Sequence, residues 1–243
     1  MTRKTVFITG AAVRIGAAIA RDLHALGMDV VIHYHTSGNA ARELTDSLNQ
    51  LRADSALALD ADLRDTRGYE NLMNKVMSFT GRLDVLINNA SSFYPTPVAE
   101  TTEEQWGDII DTNLKAPYFL ARACAPRLSE HKGCIINMSD IHGLRPLKNY
   151  PVYSAAKAGL NMLTQALARE LAPAIRVNAV SPGPILWPEG MNEKAKQEII
   201  DRVSLKRQGT TRDVTDCIRF LINDAAYMTG QILNVDGGRT LYS

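Results

Sequence analysis

The chain has 243 residues, of which 45% are hydrophobic and 22% are charged. This composition is typical of a globular protein and excludes collagen-like, disordered and disulfide-scaffold classes. Lysine and arginine number 27 against 26 aspartate and glutamate, which gives a net charge of +1 without long runs of one sign. We therefore expect neither a nucleic acid nor a membrane surface as a partner.

The length favours a single domain over residues 1–243. No stretch reaches the ~18 apolar residues of a membrane span, and the first apolar run is too short for a signal peptide. Three cysteines, Cys124, Cys134 and Cys217, stand far apart without a CxxC pair. This pattern favours buried thiols in a reducing compartment, so we predict a cytoplasmic protein.

Seven short apolar or β-branched runs predict buried strands. They cover residues 5–10, 29–35, 56–63, 83–90, 133–139, 175–183 and 231–238. Helical patterns alternate with these runs, which implies a parallel sheet with helices on both faces. The predicted fold is α/β, a Rossmann-like, doubly wound, seven-stranded parallel sheet whose ligand crevice lies at the carboxyl ends of the strands.

The helical segments are predicted from apolar spacing. In the first helix, burial is expected for Ile15, Ile19, Leu23 and Leu26, with a stop at Gly27. Long helices are expected over 113–130 and 152–171. Residues 184–209 carry few strand signals, and their Pro and Gly residues bracket a polar helix, as in a mobile lid. A surface insertion is the alternative for this segment.

A turn of small residues, TGAAVRIG at 9–16, links the first strand to the first helix. Gly10 and Gly16 let a pyrophosphate approach the backbone N–H groups at the positive end of the helix. The spacing is not GxGxxG, so a tight connection without a ligand is the alternative. The strand-to-helix context favours a dinucleotide site.

The end of the second strand bears on which dinucleotide is bound. NAD(H) is usually held by an acidic residue there, whereas this strand ends HYHTS at 33–37. Hydroxyl and amide groups of Thr36 and Ser37, with His35 nearby and Arg14 on the same rim, suit a 2′-phosphate. We therefore predict NADPH as the cofactor.

The same strand contains two histidines that could bind a metal. His33 and His35 lie two residues apart and so share a strand face. No third ligand accompanies them, and no metal site is predicted.

Polar residues also follow the third and fourth strands. Asp62 could accept a hydrogen bond from an adenine amine, and Asn89 and Ala90 end the fourth strand where the nicotinamide half should pass. Ser91 and Phe93 follow, next to whatever reacts with the nicotinamide. Helix capping is the alternative role for the polar side chains.

Tyr153 and Lys157 stand four residues apart, on one face of the predicted helix 152–171. The pair gains weight from Asp140 at the end of the fifth strand and Asn113 in the preceding helix, so that four polar groups can converge on one crevice. An exposed helical tyrosine and lysine without function are the alternative.

The charges around Tyr153 predict its chemistry. A lysine ammonium about 4 Å away would favour the phenolate by roughly 4 kcal/mol at an effective dielectric constant of 20. We therefore expect a lowered pKa for Tyr153 and a proton donor that works near neutrality. A carboxyl beside the phenol should have a raised pKa, so Asp140 could pass a proton onward.

These residues together spell a known pattern. The TGxxxRIG turn, NNA, the central Asn, YxxxK, NAVSPGP and VDGG resemble the short-chain dehydrogenase/reductase family over nearly the whole chain. The resemblance implies hydride transfer with NAD(P)H, with Tyr153 as the acid, Lys157 holding the ribose and Asn113 anchoring a relay water. Typical members have Ser thirteen residues before the Tyr, where this chain has Asp140 preceded by Ser139.

Further features resemble the pteridine reductases within that family. They are Arg in the first turn, HYHTS, ASSFYPTP at 90–97 and the Asp-Tyr-Lys set. The resemblance implies that a pterin ring stacks between the nicotinamide and Phe93, although core packing is the alternative for this side chain. The implied contacts to the polar edge of the ring are Arg14, Ser91, Asp140 and Tyr153.

The predicted cofactor site combines the motifs and the resemblance. It comprises Gly10, Arg14, Ile15, Gly16, His35, Thr36, Ser37, Asp62, Leu63, Asn89, Ala90, Ser91, Tyr153, Lys157, Pro182, Gly183 and Ile185. Pteridine reductases typically have Arg where this chain has Thr36, which removes one charged contact to the 2′-phosphate.

Three functional hypotheses follow. The leading one is an NADPH-dependent pteridine reductase that delivers hydride to a C=N carbon of a dihydropterin or dihydrofolate. The second is a 3-oxoacyl carrier-protein or small-carbonyl reductase that uses Ser139 or a substituted relay, and the third is a non-catalytic dinucleotide sensor. By resemblance, helices 113–130 and 152–171 pack across two-fold axes in a homotetramer.

Overall fold

The computed structural model describes residues 3–188 and 190–241. Its strands are β1 (Thr5–Ile8), β2 (Asp29–Tyr34), β3 (Ala56–Asp60), β4 (Val85–Asn88), β5 (Cys134–Met138), β6 (Arg176–Pro182) and β7 (Ile232–Val235). All pairs are parallel, in the order β3-β2-β1-β4-β5-β6-β7. The predicted Rossmann-like, seven-stranded parallel sheet is confirmed.

Helices alternate with the strands along the chain. They are α1 (Arg14–Ala25), α2 (Gly38–Leu51), α3 (Tyr69–Thr80), α4 (Glu103–Ile110), α5 (Ala116–Ser129), α6 (Pro151–Leu171), α7 (Glu193–Ile200) and α8 (Thr211–Asn223). A π-helical turn, Asp111–Lys115, joins α4 to α5, so the helix predicted over 113–130 belongs to a longer helical run. Within the described ranges, no helix combines the length and apolar character that a bilayer span requires.

Both faces of the sheet are covered, because alternate residues of a strand point to opposite sides. Val6 and Ile8 of β1 belong to the core cluster formed with α1, α2 and α8. Phe7, between them, belongs to the cluster formed with α3, α5 and α6. This double coverage explains why the strands read as continuous apolar runs.

The first helix ends earlier than its apolar pattern indicates. Ile19 and Leu23 are buried and Ile15 is half-buried, as helical spacing predicts. Leu26 lies beyond the last turn and is exposed, so the prediction of its burial is wrong. The chain reverses here through Gly27 at a φ of +88°, which carries Leu26 off the packed face.

Every strand also ends one to three residues before its apolar run does. The residues left over at the carboxyl ends leave the sheet and become loops. Strand order reverses between β1 and β4, which is where an open α/β sheet forms its crevice. The loops that carry the predicted site residues therefore meet at one edge of the sheet.

His33 holds three of these strand ends together. Its Nδ1 accepts a hydrogen bond from the Gly10 N–H at 3.1 Å, and its Nε2 donates to the Ala61 carbonyl at 3.0 Å. Burial lowers the pKa of His33 to about 4, so the imidazole is neutral at physiological pH. Both ring nitrogens are used in these contacts, and no group of three or more His, Cys, Asp or Glu that could hold a metal is found among residues 3–188 and 190–241.

Acid should destabilise the fold through His33. The pKa of His33 in the folded chain, about 4, lies below the ordinary value of 6.5. The neutral imidazole therefore contributes fully to the free energy of unfolding above pH 6.5, and this contribution is lost as the pH falls towards 4. The loss amounts to about 3 kcal/mol of unfolding free energy. We expect the free energy of unfolding of His33→Gln, measured by urea unfolding, to depend less on pH in this range than that of the wild type.

The exposed His131 provides the matched control. His131→Gln should retain the pH dependence of the wild type. An equal loss of stability on acidification in the wild type and in His33→Gln would contradict the assignment.

Candidate active site

A cavity of about 1140 Å³ opens at the carboxyl ends of the strands. All of the predicted cofactor-binding and substrate-binding residues line it. Its volume exceeds the roughly 300–1,000 Å³ typical of a pocket for one small ligand. The cavity therefore has room for two molecules side by side.

The turn after β1 is shaped by two glycines. Gly10 has a φ of +58°, and a Cβ built on it would lie 2.8 Å from the Cα of Ala90. A Cβ on Gly16 would clash with the Gly10 carbonyl oxygen. The Asn89 amide donates to the carbonyls of Thr9 and Gly10, at 2.9 Å each. This close packing brings the loop after β4 against the turn and leaves backbone on the cavity wall.

Helix α1 begins at this turn without a side-chain cap and without an acidic residue in its first turn. Its first residues, Arg14 and Ile15, line the cavity. Arg14 has a φ of +54°, and its guanidinium donates to the Leu186 carbonyl at 3.4 Å. An uncapped helix N-terminus beside an arginine suits a phosphate group.

The rim beyond β2 consists of His35, Thr36 and Ser37, as predicted. His35 and Thr36 are exposed, and Ser37 precedes the first turn of α2. The rim thus presents one imidazole and two hydroxyl groups to the cavity. These groups can donate hydrogen bonds to an anion.

Beside this rim, the sequence analysis missed Arg64. The Asp62 carboxylate accepts from the Arg64 guanidinium at 2.8 and 3.0 Å and from its backbone N–H at 2.9 Å. These hydrogen bonds lower the pKa of Asp62 to about 2. Arg64 also reaches Asp108 at 3.3 Å, and Asp108 accepts from the Tyr94 hydroxyl at 2.9 Å. The two-residue spacing of Asp62 and Arg64 in the sequence is the signal from which this pair could have been predicted.

The structure brings Asp140 and Tyr153 into direct contact. The phenol donates to Asp140 Oδ2 at 2.9 Å, and Oδ1 accepts from the His142 N–H at 2.8 Å. Asp140 follows β5 in extended conformation, whereas Tyr153 lies in the first turn of α6. Only 4% of Tyr153 is exposed, so its hydroxyl is shielded from bulk solvent.

The pKa of Tyr153 is raised, not lowered as the sequence analysis expected. Burial and the neighbouring Asp140 carboxylate both disfavour the phenolate. The Lys157 ammonium donates to the Met138 carbonyl at 2.8 Å and lies 5.6 Å from the centre of the Tyr153 ring. Burial lowers the pKa of Lys157 to about 8. The phenol therefore keeps its proton and gives it as a hydrogen bond to the carboxylate.

Asn113 lies behind the cavity wall instead of converging on the cavity with the other three polar groups. It is buried in the π-helical turn, where its amide donates to the carbonyls of Ser92 and Ile109 at 2.9 and 3.0 Å. Its Oδ1 accepts from the Ser91 hydroxyl at 2.7 Å. Asn113 thus holds the loop after β4, and Ser91 is the residue that faces the cavity.

The hydroxyl of Ser139 is engaged elsewhere. It donates to Asn161 Oδ1 at 2.6 Å, and both residues are buried. Because a hydroxyl has a single hydrogen to donate, this bond leaves none for a substrate carbonyl.

Phe93 lies at the surface of the cavity, with 44% of its area exposed, and is not part of the buried core. Its ring stacks on Tyr150 at 4.7 Å between centroids and 16° between planes. It meets Tyr153 edge-on at 4.7 Å and 72°. Sequence reasoning missed Tyr150, although it precedes Tyr153 by nearly one helical turn.

The segment 184–209 forms part of the cavity wall. Its predicted polar helix is present as α7, and Glu189 lies outside the described residues. Pro182, Gly183 and Ile185 line the cavity where the chain leaves β6, as predicted. Further lining residues that the sequence analysis missed are Leu186, Trp187, Pro188, Met191, Ile199 and, after β7, Arg239.

Comparison with known proteins gives the family. The model described as "Enoyl-(Acyl carrier protein) reductase" matches residues 10–240. Pteridine reductase 1 of Leishmania tarentolae is 36% identical, with 99% of this chain and 97% of the relative covered. The 3-oxoacyl-(acyl-carrier-protein) reductase FabG of Staphylococcus aureus is 34% identical, with 97% of each chain covered.

The chain belongs to the short-chain dehydrogenase/reductase family. A third relative, 3beta-hydroxysteroid dehydrogenase 1 of Eggerthella lenta, is 35% identical over 98% of this chain and 94% of its own. Short-chain reductases use a nicotinamide cofactor, and the donors at the uncapped end of α1 fit its phosphates. The relatives act on different substrates by name, so the family gives the reaction type, oxidoreduction, without the substrate.

Replacing Asp140 by Asn should lower the pKa of Tyr153, because a neutral amide does not repel the phenolate. We expect ¹³Cζ-tyrosine NMR between about pH 9 and 12 to show more phenolate for one tyrosine in the variant than in the wild type. A second substitution, Tyr153→Phe, assigns that resonance.

Asp108→Asn is the matched control, because Asp108 accepts from Tyr94 and not from Tyr153. The control should shift the Tyr94 resonance alone. An unchanged or higher pKa for Tyr153 in Asp140→Asn would contradict the claim that the Asp140 carboxylate raises the pKa of the phenol.

Proposed function

We propose that the chain is an NADPH-dependent pteridine reductase that converts a dihydropterin or dihydrofolate to its tetrahydro form. The observation that carries the proposal is the hydrogen bond between the Tyr153 phenol and the Asp140 carboxylate, 2.9 Å long. The relatives alone do not select it, since the pteridine reductase and the 3-oxoacyl reductase are 36% and 34% identical. The chemistry of the site supports the choice.

An ionised carboxylate accepts hydrogen bonds and donates none. A pterin offers N–H groups along its edge, which such a carboxylate can bind. A ketone offers an oxygen that gains negative charge during reduction and needs donors. Asp140 would repel that oxygen, and the Ser139 hydroxyl is bound to Asn161 at 2.6 Å. The arrangement therefore favours a nitrogen heterocycle over a carbonyl substrate.

The aromatic wall fits the same substrate. Phe93 presents a partly exposed face at the cavity, backed by Tyr150 at 4.7 Å. A flat bicyclic ring gains buried area and a favourable stacking geometry on such a face. Ser91 and Arg14 line the same cavity and would supply polar contacts to the ring edge.

Tyr153 and Asp140 together handle the proton. The raised pKa of Tyr153 keeps the phenol protonated, with its proton directed to Asp140 Oδ2. Tyr153, or a water held by the pair, would deliver the proton to the nitrogen as the adjacent carbon is reduced, and solvent in the open cavity would return a proton to the phenol. The bound cofactor supplies the hydride, and Lys157 keeps a positive charge behind the phenol.

The loops that line the cavity would hold the cofactor. The backbone at Gly10–Gly16 would bind the pyrophosphate, and Asp62 and Leu63 would bind the adenine. His35, Thr36 and Ser37 would bind the 2′-phosphate, which is the basis for NADPH over NADH. Lys157 would hold the ribose, and the nicotinamide would lie against Asn89, Ala90, Ser91, Pro182, Gly183 and Ile185.

The substitution that tests this function is Asp140→Asn. We expect kcat/KM for dihydrobiopterin or dihydrofolate to fall by about 10²-fold or more, because the variant loses a proton-transfer partner. The measurement is the loss of NADPH absorbance, run in parallel with NADH. Ser139→Ala is the matched control and should keep most of the activity, since its hydroxyl faces Asn161.

Full activity of Asp140→Asn would exclude the role of this carboxylate. Activity on 3-oxoacyl or small ketone substrates with none on pterins would select the carbonyl reductase instead. Absence of turnover with every substrate would favour a dinucleotide sensor.

We also propose how the chain is organised. Residues 1–243 form one domain in which 184–209 is a lid, tethered to the first turn by the bond from Arg14 to the Leu186 carbonyl. The cysteine pattern favours a reducing, cytoplasmic location. Tyr118 on α5 and Met162 on α6 are exposed apolar side chains on the two helices proposed to pack across two-fold axes in a homotetramer.

Sedimentation equilibrium should therefore give four times the chain mass of 26.7 kDa. Met162→Glu should lower that mass, because it buries a charge in the proposed interface. A monomeric wild type would contradict the assembly.

A further inference from the structure

Arg239 differs from the other basic side chains that line the cavity. It lies half-buried in the short turn Arg239–Leu241 after β7. Arg14 donates to the Leu186 carbonyl, Arg64 pairs with two carboxylates, and Lys157 donates to the Met138 carbonyl. Within residues 3–188 and 190–241, the Arg239 side chain makes no hydrogen bond or ion pair. Arg239 therefore lines the cavity without a compensating partner among these described residues.

The carboxylates of Asp236 and Asp140 already have partners. Asp236, three residues earlier, accepts from the Gly238 N–H at 2.9 Å and from the N–H and hydroxyl of Thr240 at 2.8 Å each. Asp140, in the cavity wall, is bound by Tyr153 and by a backbone N–H. A half-buried cation without a partner among the described residues is suited to an anionic ligand group.

Two hydrogen bonds hold the turn that carries Arg239 in place. The Leu205 N–H donates to the Gly237 carbonyl at 3.0 Å, and the Ser204 hydroxyl donates to the Gly238 carbonyl at 3.2 Å. These bonds hold the turn against the end of the segment 184–209. The turn that carries Arg239 therefore lies next to that segment, and Arg239 lines the same cavity.

The described residues of segment 184–209 that line the cavity are apolar or aromatic. Trp187, Met191 and Ile199 of the segment line the cavity that Arg239 also lines. An apolar wall with a cation on it suits a molecule that carries an aryl group followed by a carboxylate. A substrate with a short neutral tail would contact neither the apolar wall nor the cation.

We propose that Arg239 is a specificity-determining residue that binds the terminal carboxylate of a pterin's tail. The enzyme would then prefer pterins with an aryl-carboxylate tail, as in dihydrofolate, over those with a small neutral tail. This inference rests on the proposed pteridine reductase function. Arg239 acts away from the reacting C=N group, so it governs substrate binding and not the chemical step.

The test compares three substrates with the NADPH-loaded enzyme. They are 7,8-dihydrofolate, its dimethyl ester, which keeps the aryl group without the charges, and 7,8-dihydrobiopterin. For Arg239→Met we expect KM for dihydrofolate to rise about tenfold, equivalent to about 1.4 kcal/mol of binding free energy. Values of kcat should stay unchanged, and KM for the other two substrates should change less than about twofold.

Two variants sharpen the comparison. Arg239→Lys keeps the charge without the planar fork, so KM for dihydrofolate should recover in part. Arg202→Met is the matched control, because Arg202 is exposed on the same segment and does not line the cavity. Its kinetics should equal those of the wild type. Raising the salt concentration should weaken the wild-type preference for dihydrofolate and leave Arg239→Met unaffected.

The outcomes separate this inference from the proposed function. In one outcome the enzyme reduces all three substrates while Arg239→Met changes KM equally for each of them, or for none. Either result overturns the role of Arg239 and leaves the reductase function intact. Failure of the wild type to reduce any of the three overturns both. A rise in KM confined to dihydrofolate supports the carboxylate contact.

Discussion

The hydrogen bond between Tyr153 and Asp140 is the interaction on which the site depends. Two groups that can each become anionic share one proton, 2.9 Å apart, in a place where the tyrosine is almost fully buried. Burial and the carboxylate both raise the pKa of the phenol, so ionisation of both groups at once is disfavoured. The pair therefore presents an acceptor and a retained proton side by side. The proposed reduction of a C=N bond needs both.

This contact requires that β5 and α6 be held at a fixed separation. The bond from Lys157 to the Met138 carbonyl, 2.8 Å long, ties one turn of α6 to the last residue of β5. The bond from Ser139 to Asn161 ties the next turn to the residue after the strand. Each of the two bonds joins the end of β5 to α6, the two elements that carry Asp140 and Tyr153. The lysine thus has a structural task in addition to its electrostatic one.

Much of the fold could be predicted because it depends on local patterns. The strands follow from buried β-branched runs, and the site lies where parallel strands end. The predicted residues at positions as distant as Gly10, Asp62 and Gly183 accordingly line one cavity. Topology alone brings them together, and sequence patterns are sufficient to infer topology in an alternating α/β chain.

Hydrogen-bond partners within the site could not be predicted in the same way. The pattern indicated that Tyr153 and Lys157 share a helix face, but a carbonyl of β5 is the partner of the ammonium. Asn113 was expected in the cavity, yet the π-helical turn directs it to the loop behind. Differences of one or two ångströms decide such choices, and periodicity does not resolve them. The same holds for Tyr150, whose stacking on Phe93 depends on how two loops approach each other.

The substrate proposal follows from a change of hydrogen-bonding character at one position. A serine there would donate to a developing oxyanion, whereas Asp140 accepts hydrogen bonds from N–H groups. The same scaffold can thus serve carbonyl or heterocyclic substrates without altering its cofactor loops. Since Ser139 is bound to Asn161, it does not restore the missing donor. In the proposed function, selection between substrates would rest on the Asp140 carboxylate, the aromatic face of Phe93 and the charge of Arg239.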